Sequence, residues 1–242
     1  MSIKKNIVAI IPARGGSKGV KDKNVRLLAG VPLIYHSILF ARNSNLFQDI
    51  IVSTDGEKII DVCEQINCNV IRRPETISKD NSLVIEAIRY TLKELNKQNK
   101  YYDAVVLLEP TSPIREIEDL IMAIDAVTLN NYKSAATLTK VDPPPTRLWK
   151  LKGNQIMPLF KNKSPFLPRQ EHENAYKLTG QIYAFTPEFI EKSKTGVLDE
   201  NFFPIINDSA LSVDIDEEID FIIAEKLLEN NEKLKRSSKL RR

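Results

Sequence analysis

Residues 7–24 read IVAIIPARGGSKGVKDKN, and the order of their chemistry decides the fold. The apolar residues 7–11 come first without a polar break, as expected of a strand buried on both faces of a sheet. Pro12 and Ala13 follow, and Arg14 then opens a loop in which Gly15, Gly16 and Gly19 alternate with Ser17, Lys18, Lys21 and Lys23. Glycine reaches positive φ without penalty and lets the main chain approach a ligand closely. Successive N–H groups in such a turn form a concavity for anions. Arg14, Lys18, Lys21, Lys23 and Arg26 add side-chain charge, the neutralisation that a polyanionic nucleoside triphosphate demands. The spacing excludes two familiar phosphate loops. A P-loop needs G-x-x-x-x-G-K-[ST], whereas Gly19 is followed by Val20 and Lys21. The dinucleotide fingerprint G-x-G-x-x-G is absent as well. A merely solvated basic loop is the competing reading; the loop's place directly after the first buried strand argues against it.

Outward from that strand, strands and helices alternate. Pro32 opens a helix with Leu33, Ile34, Ile38 and Leu39 on one side, proline being suited to a first helical turn. Strands are expected at 50–52, 69–71, 104–108 and 134–138, with helices at 58–66, 82–95 and 117–129 between them. This alternation predicts an α/β fold with a doubly wound, mostly parallel, Rossmann-like sheet. Right-handed crossovers line up the strands' C-terminal ends along one edge, where ligands bind. The rhythm breaks at Asp142 and the three prolines 143–145, which end any regular element. Residues from about 142 to 178 read as an inserted arm or lid. A strand is expected again at 181–185, a short helix at 187–192, a strand at 211–215 and a final helix at 217–228.

Composition sets the outer bounds. The chain has 242 residues, 42% hydrophobic and 28% charged, which suits one α/β domain over residues 1–242. Cys63 and Cys68 have no His or Cys cluster beside them, so neither a zinc site nor a stapling disulfide is expected. That usage fits a reducing, cytoplasmic setting. The N-terminal apolar run is too short for a signal peptide, and no stretch reaches the roughly 20 apolar residues that span a bilayer. A net charge of +3 is too small to argue for nucleic acid. The basic run at 233–242 reads as a flexible, solvated helix end.

The opening motif, Ile11-Pro-Ala-Arg-Gly-Gly-Ser-Lys-Gly19 closing in Lys23-Asn24, resembles that of the acylneuraminate cytidylyltransferases, or CMP-sialic acid synthetases. The resemblance runs on through Val52-Ser-Thr-Asp55, Arg73-Pro-Glu75, Asp80-Asn-Ser82, Leu107-Leu-Glu-Pro-Thr-Ser-Pro-Ile-Arg115, Pro168-Arg-Gln170, Gly180, Tyr183 and Ser212-Val-Asp-Ile-Asp216. It covers the chain essentially end to end, and it is the ordered set that is specific. It implies a nucleotidyltransferase-type sheet that moves CMP from CTP to a nine-carbon 2-keto sugar acid, of the sialic, legionaminic or pseudaminic kind. CTP would be held by Ala13, Arg14, Gly15, Ser17, Lys23, Asn24, Arg73, Asp80, Asn81 and Ser82, with Arg14 and Lys23 on the phosphates. The sugar would meet Glu109, Arg147, Arg169, Gln170, Lys177, Tyr183, Phe202 and Phe203. Arg169 suits a carboxylate because its planar fork binds both oxygens. Arg147 and Lys177 exchange lysine and arginine relative to the family. Core packing explains Phe202 and Phe203 equally well. The arm would be a dimerisation arm, making the protein a homodimer. The opening motif also resembles that of the synthetases that activate the eight-carbon acid Kdo, though residues 18–24 fit them less well. A non-catalytic nucleotide-binding module of the same fold is expected to have lost the basic loop or the acidic pair.

Val213-Asp-Ile-Asp216 alternates apolar and acidic. On a strand both carboxylates share a face, and two hard oxygen ligands at that spacing suit one magnesium ion. Asp216 ahead of Glu217 and Glu218 equally suits an N-cap with an acidic first turn. The resemblance implies the metal reading and makes Asp214 and Asp216 catalytic together with Arg14 and Lys23. No Cys/His or Ser/His pairing points to a covalent intermediate, and no general base stands out. Glu109 departs from the family's usual glutamine, which leaves the identity of the sugar open.

Overall fold

The computed structural model describes residues 5–16, 19–79, 81–160, 164–194, 196–207 and 211–239, with the backbone alone for Arg169 and residues 231–239. Eleven strands and six α-helices follow one another among these residues. They are β1 Ile7–Ala13, β2 Leu27–Leu28, β3 Val31–Pro32, α1 Leu33–Ser44, β4 Asp49–Thr54, α2 Glu57–Gln65, β5 Asn69–Arg72, α3 Val84–Asn96, β6 Ala104–Leu107, α4 Ile117–Thr128, β7 Ser134–Lys140, β8 Trp149–Lys152, β9 Gln155–Pro158, β10 Tyr176–Phe185, α5 Pro187–Lys192, β11 Phe203–Ile206 and α6 Glu218–Lys239. The main sheet has seven strands in the order β11-β7-β10-β6-β1-β4-β5. Only β10 runs against its neighbours.

Alternation along β1 shows why the sheet is doubly wound. Ala9, Ile11 and Ala13 enter one core with Ile34 and Ile38 of α1 and Leu120 and Ala123 of α4. Val8 and Ile10 enter the opposite core with Ile85 and Ile88 of α3 and Ile190 of α5. Both faces are covered, so the strand is apolar throughout, as its sequence requires. A third, smaller core joins Val20, Leu28, Leu33, Ile114, Val213, Ile215, Phe221 and Ala224. It fastens the end of the glycine loop, the Val213–Ile215 segment and α6 to one another. Burial of each large side chain there is worth roughly 1.5–3 kcal/mol.

Three expectations change. Residues 211–215 form no strand; the segment is held by one ladder-like bond, Ile215 N–H to the Thr111 carbonyl at 2.8 Å. The sheet edge beside β7 is taken instead by β11, a strand that was not expected and that contains Pro204. Proline is tolerated on an edge strand, where one N–H side needs no partner. The last helix runs on to Lys239. In the arm, β8 and β9 make a separate hairpin, and β10 begins at Tyr176, earlier than expected, with a register shift between Leu178 and Tyr183. His172 ties the arm together, its ring nitrogens bonded to Thr146 Oγ1 (2.7 Å) and the Leu167 carbonyl (2.9 Å). No helix among the described residues is long and apolar enough to cross a membrane.

Candidate active site

The C-terminal ends of β1, β5 and β6 open on one cleft of about 400 Å³, lined by Arg14, Lys23, Asn24, Arg73, Ser82, Glu109 and Asp216, among others. The basic loop and the acidic pair meet here. A Cβ on Gly19 would lie 2.2 Å from the Asp216 carbonyl oxygen, so the two main chains touch. Lys23 Nζ donates to the Ile215 carbonyl (2.6 Å) and to Asp216 Oδ1 (2.9 Å). Buried Asn24 donates to the Arg14 carbonyl at 3.2 Å. Gly15 N–H donates to Asp55 Oδ1 at 3.0 Å, and the Gly15 main chain lies against Gly56 so closely that a Cβ would fall 2.8 Å from its Cα. The loop is thus braced from both flanks.

The alternation at Val213–Asp216 survives without a strand. Val213 and Ile215 are buried in the third core while Asp214 and Asp216 are exposed. Asp216 does not cap α6 with its side chain. Asp220 Oδ2 takes the N–H groups of Asp216 (2.9 Å) and Glu217 (2.7 Å) instead, which leaves the Asp216 carboxylate to the cleft. Arg73 is buried, 3.7 Å from Asp55, and its Nε has no hydrogen-bond partner among the described residues. Burial works against its charge and Asp55 restores part of it. Glu109 is pushed up to about 7, first by burial and then by the negative charge of Asp214 and, more weakly, of Asp216; Arg115 acts in the opposite sense. Glu109 therefore feels both aspartates at one side of the cleft, a field that suits a cation. Among the described residues no three His, Cys, Asp or Glu side chains are grouped to hold a metal by themselves. Asp214 and Asp216 would supply two ligands, leaving the others to phosphate oxygens and water, the usual pattern for magnesium.

Ala13, the buried last residue of β1, offers only its backbone. Asn81 is exposed and outside the cleft lining, whereas Ser82 is part of it. Ser17 and Asp80 lie outside the described residues, as does the Arg169 side chain. Arg147, Gln170 and Lys177 stand on the arm, exposed and away from this chain's own cleft lining. Tyr183 is buried beside Glu109, and burial pushes its hydroxyl well above the usual range. Phe202 and Phe203 are not walls of this cleft. Phe202 packs into the α3/α5 core, and Phe203 meets Tyr132 edge-on at 5.1 Å near the opposite end of the sheet. Phe202 precedes and Phe203 begins the edge strand β11, and each packs against one of the two large cores.

Sequence reading left out Lys79 and Thr111, which line the cleft, and Arg115. Lys79 adjoins the Asp80–Ser82 motif, so proximity was a usable signal. Arg115 is fully buried and donates from Nε to the Gln181 carbonyl (2.6 Å) and from Nη2 to the Glu109 carbonyl. No pattern in sequence marks an arginine for burial.

A glycine-rich basic loop facing two aspartates, at the C-terminal edge of a mostly parallel sheet, defines a nucleotidyltransferase. The family model described as cytidylyltransferase matches residues 8–236, and the chain belongs to that family. It is 36% identical over 231 residues to a protein of Legionella pneumophila subsp. pneumophila named CMP-N,N'-diacetyllegionaminic acid synthase, covering 93% of this chain and 97% of that one. It is 32% identical over 177 residues to the pseudaminic acid cytidylyltransferase of Campylobacter jejuni, covering 73% and 76%. The fold is shared with the solved structure of a CMP:2-keto-3-deoxy-manno-octonic acid synthetase complexed with CTP, with a TM-score of 0.70 at 14% identity over 93% of this chain and 99% of that one.

Proposed function

We propose that this cytidylyltransferase moves CMP from CTP to the anomeric hydroxyl of a nonulosonic acid, a nine-carbon 2-keto sugar acid, and releases pyrophosphate. The observation that carries the reading is the contact of the glycine loop with the acidic segment: Gly19 against Asp216, and Lys23 bridging Ile215 and Asp216. It makes a single binding surface of groups that neutralise phosphates and groups that hold a cation. The relatives named for legionaminic and pseudaminic acids support the sugar class.

Arg14, Lys23 and the loop N–H groups grip the triphosphate, and Asn24, Arg73 and Ser82 take the nucleoside. The sugar hydroxyl attacks the α-phosphorus, the bond to the bridging oxygen of the β-phosphate breaks, and pyrophosphate leaves. The hydroxyl proton passes to a carboxylate of the 214–216 pair. Asp214 and Asp216 would hold magnesium, which when bound polarises the α-phosphate and screens the leaving group. Catalysis is then positioning and charge neutralisation rather than covalent chemistry. Arg147, Arg169 and Lys177 are cations of the arm available to an acceptor carboxylate. We assign them to the neighbouring site of a homodimer, because the β8–β9 hairpin leaves Trp149, Leu151 and Ile156 largely exposed on one face.

Pyrophosphate release from CTP with a panel of 2-keto sugar acids tests the reaction, with Kdo included. Asp214→Ala is expected to abolish turnover while CTP binding survives. Wild-type turnover in that variant removes Asp214 from the mechanism, and release with Kdo alone overturns the sugar class.

A further inference from the structure

Residues 211–216 carry the acidic pair without a strand to hold them, so their place depends on ties to the rest of the molecule. Ile215 N–H reaches the Thr111 carbonyl at 2.8 Å, and Val213 and Ile215 sink into the third core. A further tie comes from β10. Gln181, only 2% exposed, donates from Nε2 to the Leu211 carbonyl at 3.0 Å and to the Ile114 carbonyl at 2.6 Å. One buried side chain thus joins the start of the acidic segment to the loop after β6.

The local backbone explains how Gln181 comes to lie there. β10 runs against β6 and β7, so its first half stands beside their C-terminal ends. Its register shifts between Leu178 and Tyr183, and an irregularity of this kind re-aims a side chain. At Gly180, where φ is +74°, the strand comes so close to the 109–115 loop that a Cβ would lie 2.6 Å from both Glu109 Oε2 and Ser112 Oγ. The next carbonyl, that of Gln181, is held by Arg115 Nε. The carboxamide itself is saturated. Nε2 serves two main-chain carbonyls, and Oε1 accepts from Asn207 Nδ2. That last bond fixes which way the amide points. An ionised glutamate of the same shape has no hydrogen to give.

We infer that Gln181 is a positioning residue for the acidic pair: by fixing Leu211 against Ile114 it sets where Asp214 and Asp216 stand in the cleft. The inference rests on the reading that these two carboxylates hold the cation. Gln181 is not part of the cleft lining, so its effect passes through the segment it holds. With the amide gone, the segment keeps the bond to Thr111 and its apolar contacts but loses its hold at Leu211. A shift of about 1 Å is enough to spoil the geometry of a reacting site. Loss of a group that orients metal ligands costs about 10–100-fold in metal affinity or activity.

The test compares wild-type protein with Gln181→Met, which keeps the length of the side chain and removes the amide. kcat is measured with a panel of nonulosonic acids, CTP affinity by calorimetry without metal, and manganese affinity of the protein–CTP complex by electron paramagnetic resonance. The expected result is a loss of about tenfold or more in both kcat and manganese affinity, with metal-free CTP affinity within about twofold of wild type. Ile190→Val removes one buried methylene from the opposite core; it should lower Tm and leave kcat and manganese affinity alone. A Gln181→Met protein that behaves in that way, its kcat and manganese affinity within about twofold of wild type, overturns the assignment. If Gln181→Met does not fold, Asn207→Leu, which removes the bond that orients the amide, is held to the same two outcomes. Asp214→Ala keeps the premise apart from the inference. Unchanged manganese affinity in that variant overturns the metal role of the aspartates, and the role of Gln181 with it. Wild-type protein that turns over no sugar of the panel overturns the proposed reaction alone, and the manganese measurement still decides Gln181.

Discussion

Gly19→Ala is the sharpest perturbation of the cleft, because the structure gives both its size and its target. The added Cβ would lie 2.2 Å from the Asp216 carbonyl oxygen. An ordinary carbon–oxygen contact is over 1 Å longer, and both partners are main chain, so no rotamer change relieves the clash. Either the glycine loop or the acidic segment must move by about 1 Å. Forced overpacking costs about 1–3 kcal/mol. In a domain of this size each kcal/mol lowers Tm by about 2–4 °C, which gives a drop of about 2–12 °C. The fold should survive, because the main sheet and its two large cores are untouched. Catalysis should suffer more, since a misplacement of about 1 Å can cost about 100-fold in rate. Pyrophosphate release and thermal melting would be measured on Gly19→Ala beside Gly196→Ala. At Gly196 a Cβ meets nothing closer than 4.0 Å, so that variant should behave as wild type. Full activity in Gly19→Ala would refute the claim that loop and acidic segment form one rigid surface.

Lys23→Met removes a cation of the cleft and the brace to Ile215 and Asp216 together; kcat/KM should fall by about 100-fold or more, with weaker CTP binding by calorimetry. Glu109 also gives a pH signature in protein freed of metal. Its folded pKa, pushed up to about 7, lies above the ordinary value of 4.5, so the folded state binds this proton more tightly than the unfolded chain. Its contribution to stability is full below about pH 4.5, is lost as pH rises through about 7, and amounts to about 3 kcal/mol at most. Glu109→Gln should therefore melt higher than wild type at pH 8 and about the same at pH 4.5; equal Tm values at pH 8 would contradict this. Leu151→Glu with Ile156→Glu places charge on the exposed face of the arm hairpin, and light scattering should find a dimer for the wild type and a monomer for the variant.

Burial and the negative charge of Asp214 and Asp216 together work against ionisation of Glu109. Perturbed carboxyls of this kind cluster at functional sites. Asp220 caps α6; with that duty taken over, Asp216 is free to face Lys23 and the cleft.

The amino-acid sequence by itself determined the alternation of strands and helices, the edge at which ligands gather, and the chemistry of Arg14, Lys23 and the Val213–Asp216 pattern. These are local signals: an uninterrupted apolar run, glycines after it, and a period of two. Only the tertiary structure decided that Phe203 begins an edge strand and packs against Tyr132, and that residues 211–215 alternate without a ladder. It also decided that Arg115 is buried behind Glu109, and that Gly180 closes on that carboxylate. Each of these depends on which segments pack side by side after long separations in the chain, as Gly19 does with Asp216. Proximity of that kind comes from filling a shared core with Val20, Leu28, Val213, Ile215 and Phe221, and no single stretch of sequence carries it.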